Sequence, residues 1–355
     1  MVALHYSIYG YLLYMVKKIS NKQQLQISKK KDQILDNFYN NVSDLSNGIV
    51  ACRFGNQVDL ITDDFQTVRC SVRRTVKSIT TGDNVLWHED AANSEFKGIV
   101  EIVKPRTSEL HRPDFYDGLK PIAANITRIF IVSSIKPELS TNIIDRYLIA
   151  CEETKIRPVI VINKIDLLTD NEREVLKSDL KFYNDLGYDT YFVSTVNGDG
   201  ISELKEAFMD QFSVIVGQSG VGKSSLLNTL IGTNTAYTNS ISETSNLGQH
   251  TTTSSRLYFL NDSTKIIDSP GVREFGLWHF SADTIARNYR EFRIYLGTCK
   301  FKDCKHINEI GCSIKEAVEE GKINKVRYEN YLKILSSNEL VLKKNKTRRA
   351  NNNKR

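Results

Sequence analysis

The sequence predicts a multidomain chain: an N-terminal β-barrel of the OB type, a central α/β domain with a mainly parallel sheet, and a mostly α-helical C-terminal domain holding a Cys/His cluster. Three observations predict it. Five short apolar runs separated by turn residues lie between residues 48 and 103, strands and helices alternate between 129 and 267, and three cysteines gather with a histidine between 299 and 312. A chain of 355 residues, 40% hydrophobic and 25% charged, has room for these cores and excludes the fibrous, collagenous and wholly disordered classes.

Residues 1–46 read as a basic, mobile arm, because Lys, Gln, Asn and Ser dominate 17–46 and bury too little apolar surface to offset ordering entropy. The apolar stretch 2–16 is too short to span a bilayer and lacks a basic leader and a cleavage site, so no signal peptide and no membrane partner are expected. Met15, at the head of the polar stretch, is a candidate alternative start. The barrel, residues 47–104, rests on the runs 49–52, 58–61, 68–72, 85–87 and 99–103, with turns at Gly55-Asn56 and Thr81-Gly82-Asp83-Asn84. A barrel without any nucleic-acid role fits these runs equally well. Pro105, Pro113 and Pro121 mark an extended linker over 105–126.

The central domain, 127–280, alternates strands at 129–133, 158–162, 190–193 and 213–216 with helices at 142–153, 171–186, 202–209 and 223–231, and a strand pair follows at 257–260 and 265–267. A helical domain, 281–335, and a basic disordered tail, 336–355, complete the chain. The net charge of +6 permits a polyanionic partner without requiring one.

Gly217-Gln218-Ser219-Gly220-Val221-Gly222-Lys223-Ser224, with Ser225 behind it, is a phosphate-binding loop between a strand and a helix. Backbone N–H groups and the helix N-terminus would cradle phosphates, Lys223 would bridge the β- and γ-phosphates, and Ser224 would ligate Mg²⁺. Asn163-Lys164-Ile165-Asp166 follows an apolar strand, where Asp166 would accept hydrogen bonds from the N1–H and amino group of guanine. Adenine has no donors there and would leave a buried carboxylate unpaired, which selects GTP over ATP. Ser194-Thr195 is placed to offer backbone contacts to the base.

Asp268-Ser269-Pro270-Gly271 supplies a carboxylate for Mg²⁺, through water, and a Gly271 amide to sense the γ-phosphate. The next residue, Val272, cannot orient water as a glutamine would. His250, in Gly248-Gln249-His250-Thr251-Thr252-Thr253, is the candidate substitute, an exposed loop histidine being the alternative; one of the three threonines, with Thr252 chosen, would ligate Mg²⁺. The Asn-Lys-x-Asp element precedes the phosphate loop, which precedes Asp268, and this order predicts a circularly permuted P-loop GTPase. The chain then runs from Gly271 directly into the tail, so the γ-phosphate is expected to influence the position of the C-terminal domain.

Cys299, Cys304, His306 and Cys312 make a complete Cys3His donor set, expected to hold one structural zinc ion in a reducing, cytoplasmic compartment. Cys52, Cys70 and Cys151 read as buried thiols.

Together these motifs closely resemble the ribosome small subunit-dependent GTPase A family, most nearly at residues 112–118, 142–147, 217–227, 248–253 and 268–278, and in outline over about 48–331. The resemblance implies late maturation of the 30S subunit: a GTP-bound monomer docks on 16S rRNA, and hydrolysis to GDP, stimulated by the subunit, releases it. It also implies that Arg69, Arg73, Arg74 and Lys77 of the barrel, and the zinc tail, contact rRNA, mainly its phosphates. A nucleotide-switched RNA-binding placeholder with incidental hydrolysis is the competing reading. Residues 1–14 and those beyond Leu335 depart from the family pattern.

Overall fold

The computed structural model describes residues 45–90, 96–114, 118–232, 255–269, 277 and 280–352. Strands β1 (Ser46–Phe54), β2 (Gln57–Thr62), β3 (Thr67–Val72), β4 (Asn84–Glu89) and β5 (Gly98–Val103) coincide with the five apolar runs. They pair in the order β1-β2-β3-β5-β4, and β4 returns to β1 to close the barrel. The β3–β5 pair is parallel, and β1–β2, β2–β3 and β4–β5 are antiparallel. Closure leaves a core of Val50, Val58, Leu60, Cys70, Ile79, Val85, Trp87 and Val100, with Trp87 donating its indole N–H to the Asn47 carbonyl at 3.1 Å.

The proline-marked segment is extended but organised. It folds into an antiparallel hairpin, β6 (Glu109–Asp114) with β7 (Gly118–Ala124), where a linker was expected. Pro113 and Pro121 sit in a two-stranded ribbon whose strands each keep a free side, so their missing N–H groups cost no pairing there, while Pro105 precedes β6.

The central domain follows as β8 (Arg128–Ser134), α1 (Thr141–Thr154), β9 (Arg157–Asn163), α2 (Asp170–Asp185), β10 (Asp189–Phe192), α3 (Ile201–Phe208), β11 (Phe212–Val216), α4 (Lys223–Ile231), β12 (Arg256–Phe259) and β13 (Lys265–Asp268). The sheet order is β10-β9-β8-β11-β13-β12, parallel except for β12. Helix α2 begins with a reciprocal cap: Glu172 N–H donates to Thr169 Oγ1, while Glu172 Oε2 accepts from Thr169 N–H at 2.8 Å. One sheet face is covered by α3 and α4 through Leu204, Phe208, Leu226 and Leu230, with Phe130 and Phe208 stacked at 3.5 Å. The other face belongs to a larger core that joins α1 and α2 to the C-terminal domain.

That last domain contains α5 (Ala282–Arg287), α6 (Ser313–Glu319) and α7 (Lys325–Asn352). The helix continues to Asn352, where a disordered tail from 336 was expected; its buried residues Tyr331, Ile334 and Leu335 anchor it and let the helical backbone propagate. Among the described residues no helix is long and apolar enough to cross a membrane.

Two joints attach the flanking domains to the centre. On the barrel side, β1 meets β12 at Cys52↔Arg256, so barrel and central sheet form one hydrogen-bonded run. The turn 80–83 lies buried in this joint. Asp83 accepts from Thr80 N–H at 2.7 Å and from both arms of Arg106 at 2.6 and 2.8 Å. A side chain at Gly82 would put its Cβ 2.4 Å from the Ala124 carbonyl, in a backbone already at φ +90°. On the tail side, fully buried Arg327 bridges Asp145 of α1 and Glu291, with 2.7 and 3.1 Å bonds to Glu291. Asp145 also accepts from Asn330 at 2.7 Å and Tyr183 at 2.8 Å, and the Arg327 guanidinium lies over the Tyr289 ring.

Candidate functional site

Sheet order places the site. Strand β8 is flanked by β9 on one side and β11 on the other, and the crevice at the carboxyl ends of such strands is where ligands dock in open α/β sheets. The Asn163 element ends β9, and the phosphate loop ends β11. Gly217, Gly220 and Gly222 adopt φ of +144°, +82° and +94°. Two of them permit close approach as well: a Cβ on Gly217 would fall 2.1 Å from the Val132 carbonyl, and one on Gly222 would fall 2.4 Å from Asn163 Nδ2.

Two expected motifs, distant in sequence, are thereby locked together. Asn163 Nδ2 donates to the Val221 carbonyl at 3.0 Å, and its Oδ1 accepts from Lys164 N–H at 2.8 Å. The Lys164 ammonium donates to the carbonyls of Gly220 and Lys136, each at 2.6 Å. Lys223 donates to the carbonyls of Gly217 and Gln218 at 2.8 and 2.6 Å, within the loop it serves. Ser219, Ser224 and Ser225 are exposed at the mouth, and Val221 is buried beneath it.

Ile165 belongs to a short 3-10 turn with Asp166, held by its N–H to the Val193 carbonyl at 3.2 Å. Ser194, expected to offer a backbone contact to the base, uses its side chain here. Its hydroxyl donates to Asp166 Oδ1 at 2.5 Å and accepts from Val196 N–H at 3.1 Å, which fixes the direction of the carboxylate. The adjacency of Ser194 to a strand end was visible in sequence; its bond to Asp166 was not. The role of the Lys136 carbonyl left no signal in the sequence.

Asp268 ends β13 and stands in register with Ile215 of β11, one strand from the phosphate loop. Burial raises its carboxyl above the ordinary value, and the positive charge of Lys223 opposes the rise. His250, Thr251, Thr252, Thr253, Gly271 and Val272 lie outside the described residues.

A second constellation forms in the C-terminal domain, where Cys299, Cys304, His306 and Cys312 bring their ligand atoms within 4.8 Å of one another. His306 Nδ1 faces both Cys299 Sγ and Cys312 Sγ at 3.5 Å. Three thiols and one imidazole nitrogen at this separation fit a tetrahedral zinc ion with no open position. Tyr328 and Tyr331 donate to the carbonyls of His306 and Lys305 at 2.9 and 2.8 Å, holding the knuckle against α7. Desolvation works against the Glu309 carboxylate, yet backbone N–H groups of Lys305, Ile307 and Asn308 hold its pKa down at about 2.

Of the four basic residues singled out on the barrel, Arg69 is committed to Asp59 at 2.7 and 2.9 Å and Arg73 to Glu101. Arg74 and Lys77 are exposed, with no ion pair among the described residues.

A phosphate loop bonded to a guanine-type Asn-Lys-x-Asp element that precedes it in the chain defines a circularly permuted GTPase, a hydrolase acting on GTP. Residues 103–278 match the family model described as RsgA GTPase. The small ribosomal subunit biogenesis GTPase RsgA of Klebsiella pneumoniae (strain 342) is 50% identical over 327 residues, spanning 91% of this chain and 92% of that protein. The crystal structure of YjeQ from Thermotoga maritima is similar with a TM-score of 0.65 at 30% identity, covering 82% of this chain and 98% of that one. YloQ, titled a circularly permuted GTPase, is similar with a TM-score of 0.64 at 26% identity, covering 84% and 96%. The chain belongs to the RsgA GTPase family.

Proposed function

We propose that this protein is a cytoplasmic, monomeric GTPase acting in late maturation of the small ribosomal subunit: bound to GTP it docks on 16S rRNA of the 30S particle, and hydrolysis stimulated by the particle releases it. The observation that carries the reading is the extent of kinship. Half the residues are identical to a small-subunit biogenesis GTPase over 91% of the chain, so the likeness takes in barrel and tail as well as the nucleotide domain.

In this reading Asp166, aimed by Ser194, selects guanine, and Gly217 through Ser225 receive the phosphates. Lys223 would leave its loop carbonyls for the β- and γ-phosphates. Ser224 and Asp268 would hold Mg²⁺, with Thr252, and that ion would neutralise charge developing on the phosphates. His250 orients the attacking water and Gly271 senses the γ-phosphate. Zinc in the Cys3His knuckle is structural. Exposed Arg74 and Lys77 meet rRNA phosphates, whereas Arg69 and Arg73 first serve the barrel through their carboxylate partners. Asn338 of α7 donates to the Leu277 carbonyl at 2.7 Å, a buried contact that fastens the tail to Leu277.

GTP and ATP turnover by the protein, alone and with 30S or 50S subunits, tests the proposal. Slow GTP-only turnover rising strongly with 30S alone is expected. Turnover indifferent to subunits would withdraw the ribosomal activation and favour the RNA-binding placeholder.

A further inference from the structure

The turn between β3 and β4 is the barrel's deepest contribution to the nucleotide domain. Thr81 is 2% exposed, and its hydroxyl donates to the Ser255 carbonyl at 3.0 Å. The Ser255 hydroxyl in turn meets the Ser269 hydroxyl at 3.0 Å, and Ser269 is 1% exposed. Ser255 and Ser269 each lie one residue beyond the facing pair Arg256↔Asp268, at the ligand end of the β12–β13 ladder. Ser269 directly follows Asp268 and precedes Gly271 by two residues; Ser255 follows Thr252 by three. Two hydrogen bonds, joined through Ser255, therefore run from the barrel to the strand end that carries Asp268.

The turn is itself immobilised. Thr81 C=O accepts from Ala124 N–H at 3.0 Å, Gly82 N–H donates to the Val50 carbonyl at 2.9 Å, and Asp83 clamps Thr80 and Arg106. A hydroxyl on so rigid a support fixes the height of the Ser255 carbonyl, and through it the separation of the two strand ends. Thr81 and Ser269 are buried and the three hydroxyls are engaged along this one chain, so the effect is one of position.

We infer that Thr81 of the barrel is a positioning residue for GTP hydrolysis, holding the ends of β12 and β13 at Ser255 and Ser269, and with them Asp268, in place. The inference rests on the proposed role of Asp268. It makes the barrel part of the hydrolytic machine as well as a partner-binding module.

The test is steady-state GTP turnover by the full-length protein without ribosomes, alongside GDP affinity. Thr81→Val keeps the branched shape and deletes the hydroxyl. It should lower kcat about 3- to 10-fold, the scale of one hydrogen bond expressed as rate, while KM for GTP and affinity for GDP stay within about twofold. Thr81→Ser, which restores the hydroxyl, should recover the rate. Ser269→Ala should match Thr81→Val, and the double variant should be no slower than the slower single, because both cut one chain. An unchanged kcat in Thr81→Val, or no recovery in Thr81→Ser, would overturn the inference. Asp268→Ala separates the two levels: if it retains turnover, the proposed site itself fails, whereas an inactive Asp268→Ala beside a normal Thr81→Val removes the inference alone.

Discussion

The two joints that flank the nucleotide domain solve the same problem with opposite chemistry. At the tail, a fully buried guanidinium is shared by two carboxylates and sandwiched among tyrosines, so Arg327, Asp145 and Glu291 must all be present for any of them to be tolerated. At the barrel, the contact is a strand pairing, a glycine turn and neutral hydroxyls, with Arg106 and its carboxylate partners Asp83 and Glu109 behind them. The difference teaches what each joint permits. A buried ionic cluster is satisfied in one geometry and costs several kcal/mol when any member is missing; a neutral hydrogen bond costs less to lose. The tail is therefore the attachment that tolerates substitution least, and the barrel the one that places the strand ends at Ser255 and Ser269 through neutral hydrogen bonds from an immobilised turn.

Substitutions at the two joints should show this asymmetry in urea denaturation. Arg327→Met strands two buried carboxylates and is expected to lose about 3–5 kcal/mol, most of it regained when Asp145 and Glu291 are also replaced by leucine. Asp83→Asn removes the charge that Arg106 and the Thr80 N–H share, with an expected loss of about 2 kcal/mol. A larger loss here than for Arg327→Met would reverse the comparison. Asn338→Ala, which frees the Leu277 carbonyl, is expected to cost about 1 kcal/mol and to leave GTP affinity unchanged, since the contact belongs to the tail joint and not to the nucleotide pocket. A fall in GTP affinity would show that the tail reaches the site by this route.

Residues 142–147 illustrate how a recognisable stretch can be legible while its purpose is not. They stood out for their family resemblance, yet their side chains serve the tail joint: Asp145 receives Arg327, Asn142 donates to the Asn330 carbonyl at 3.2 Å, and Arg146 donates to Ser337 at 2.6 Å. Thr81-Gly82-Asp83 shows the reverse. It reads as an ordinary turn, because Gly and Asp favour turns locally, and nothing local reports that an arginine over twenty residues away and a serine far along the chain will bury it.

The sequence by itself determined the five barrel strands, the alternating α/β centre, the permuted order of nucleotide motifs and the Cys3His knuckle. Each of these is written in short-range spacing: period-two apolar runs, helical runs, glycines between a strand and a helix, and ligands within one loop. Only the tertiary structure decided that the proline-marked segment pairs as a hairpin, that α7 continues past Leu335, that Asn163 and Lys164 fasten onto the phosphate loop, and that Ser194 aims Asp166. It decided as well that two of the barrel arginines are already paired. The physical reason is common to them all: a hydrogen bond or ion pair is specified by where two groups meet, and the residues on its two sides carry no mark of one another until the chain has folded.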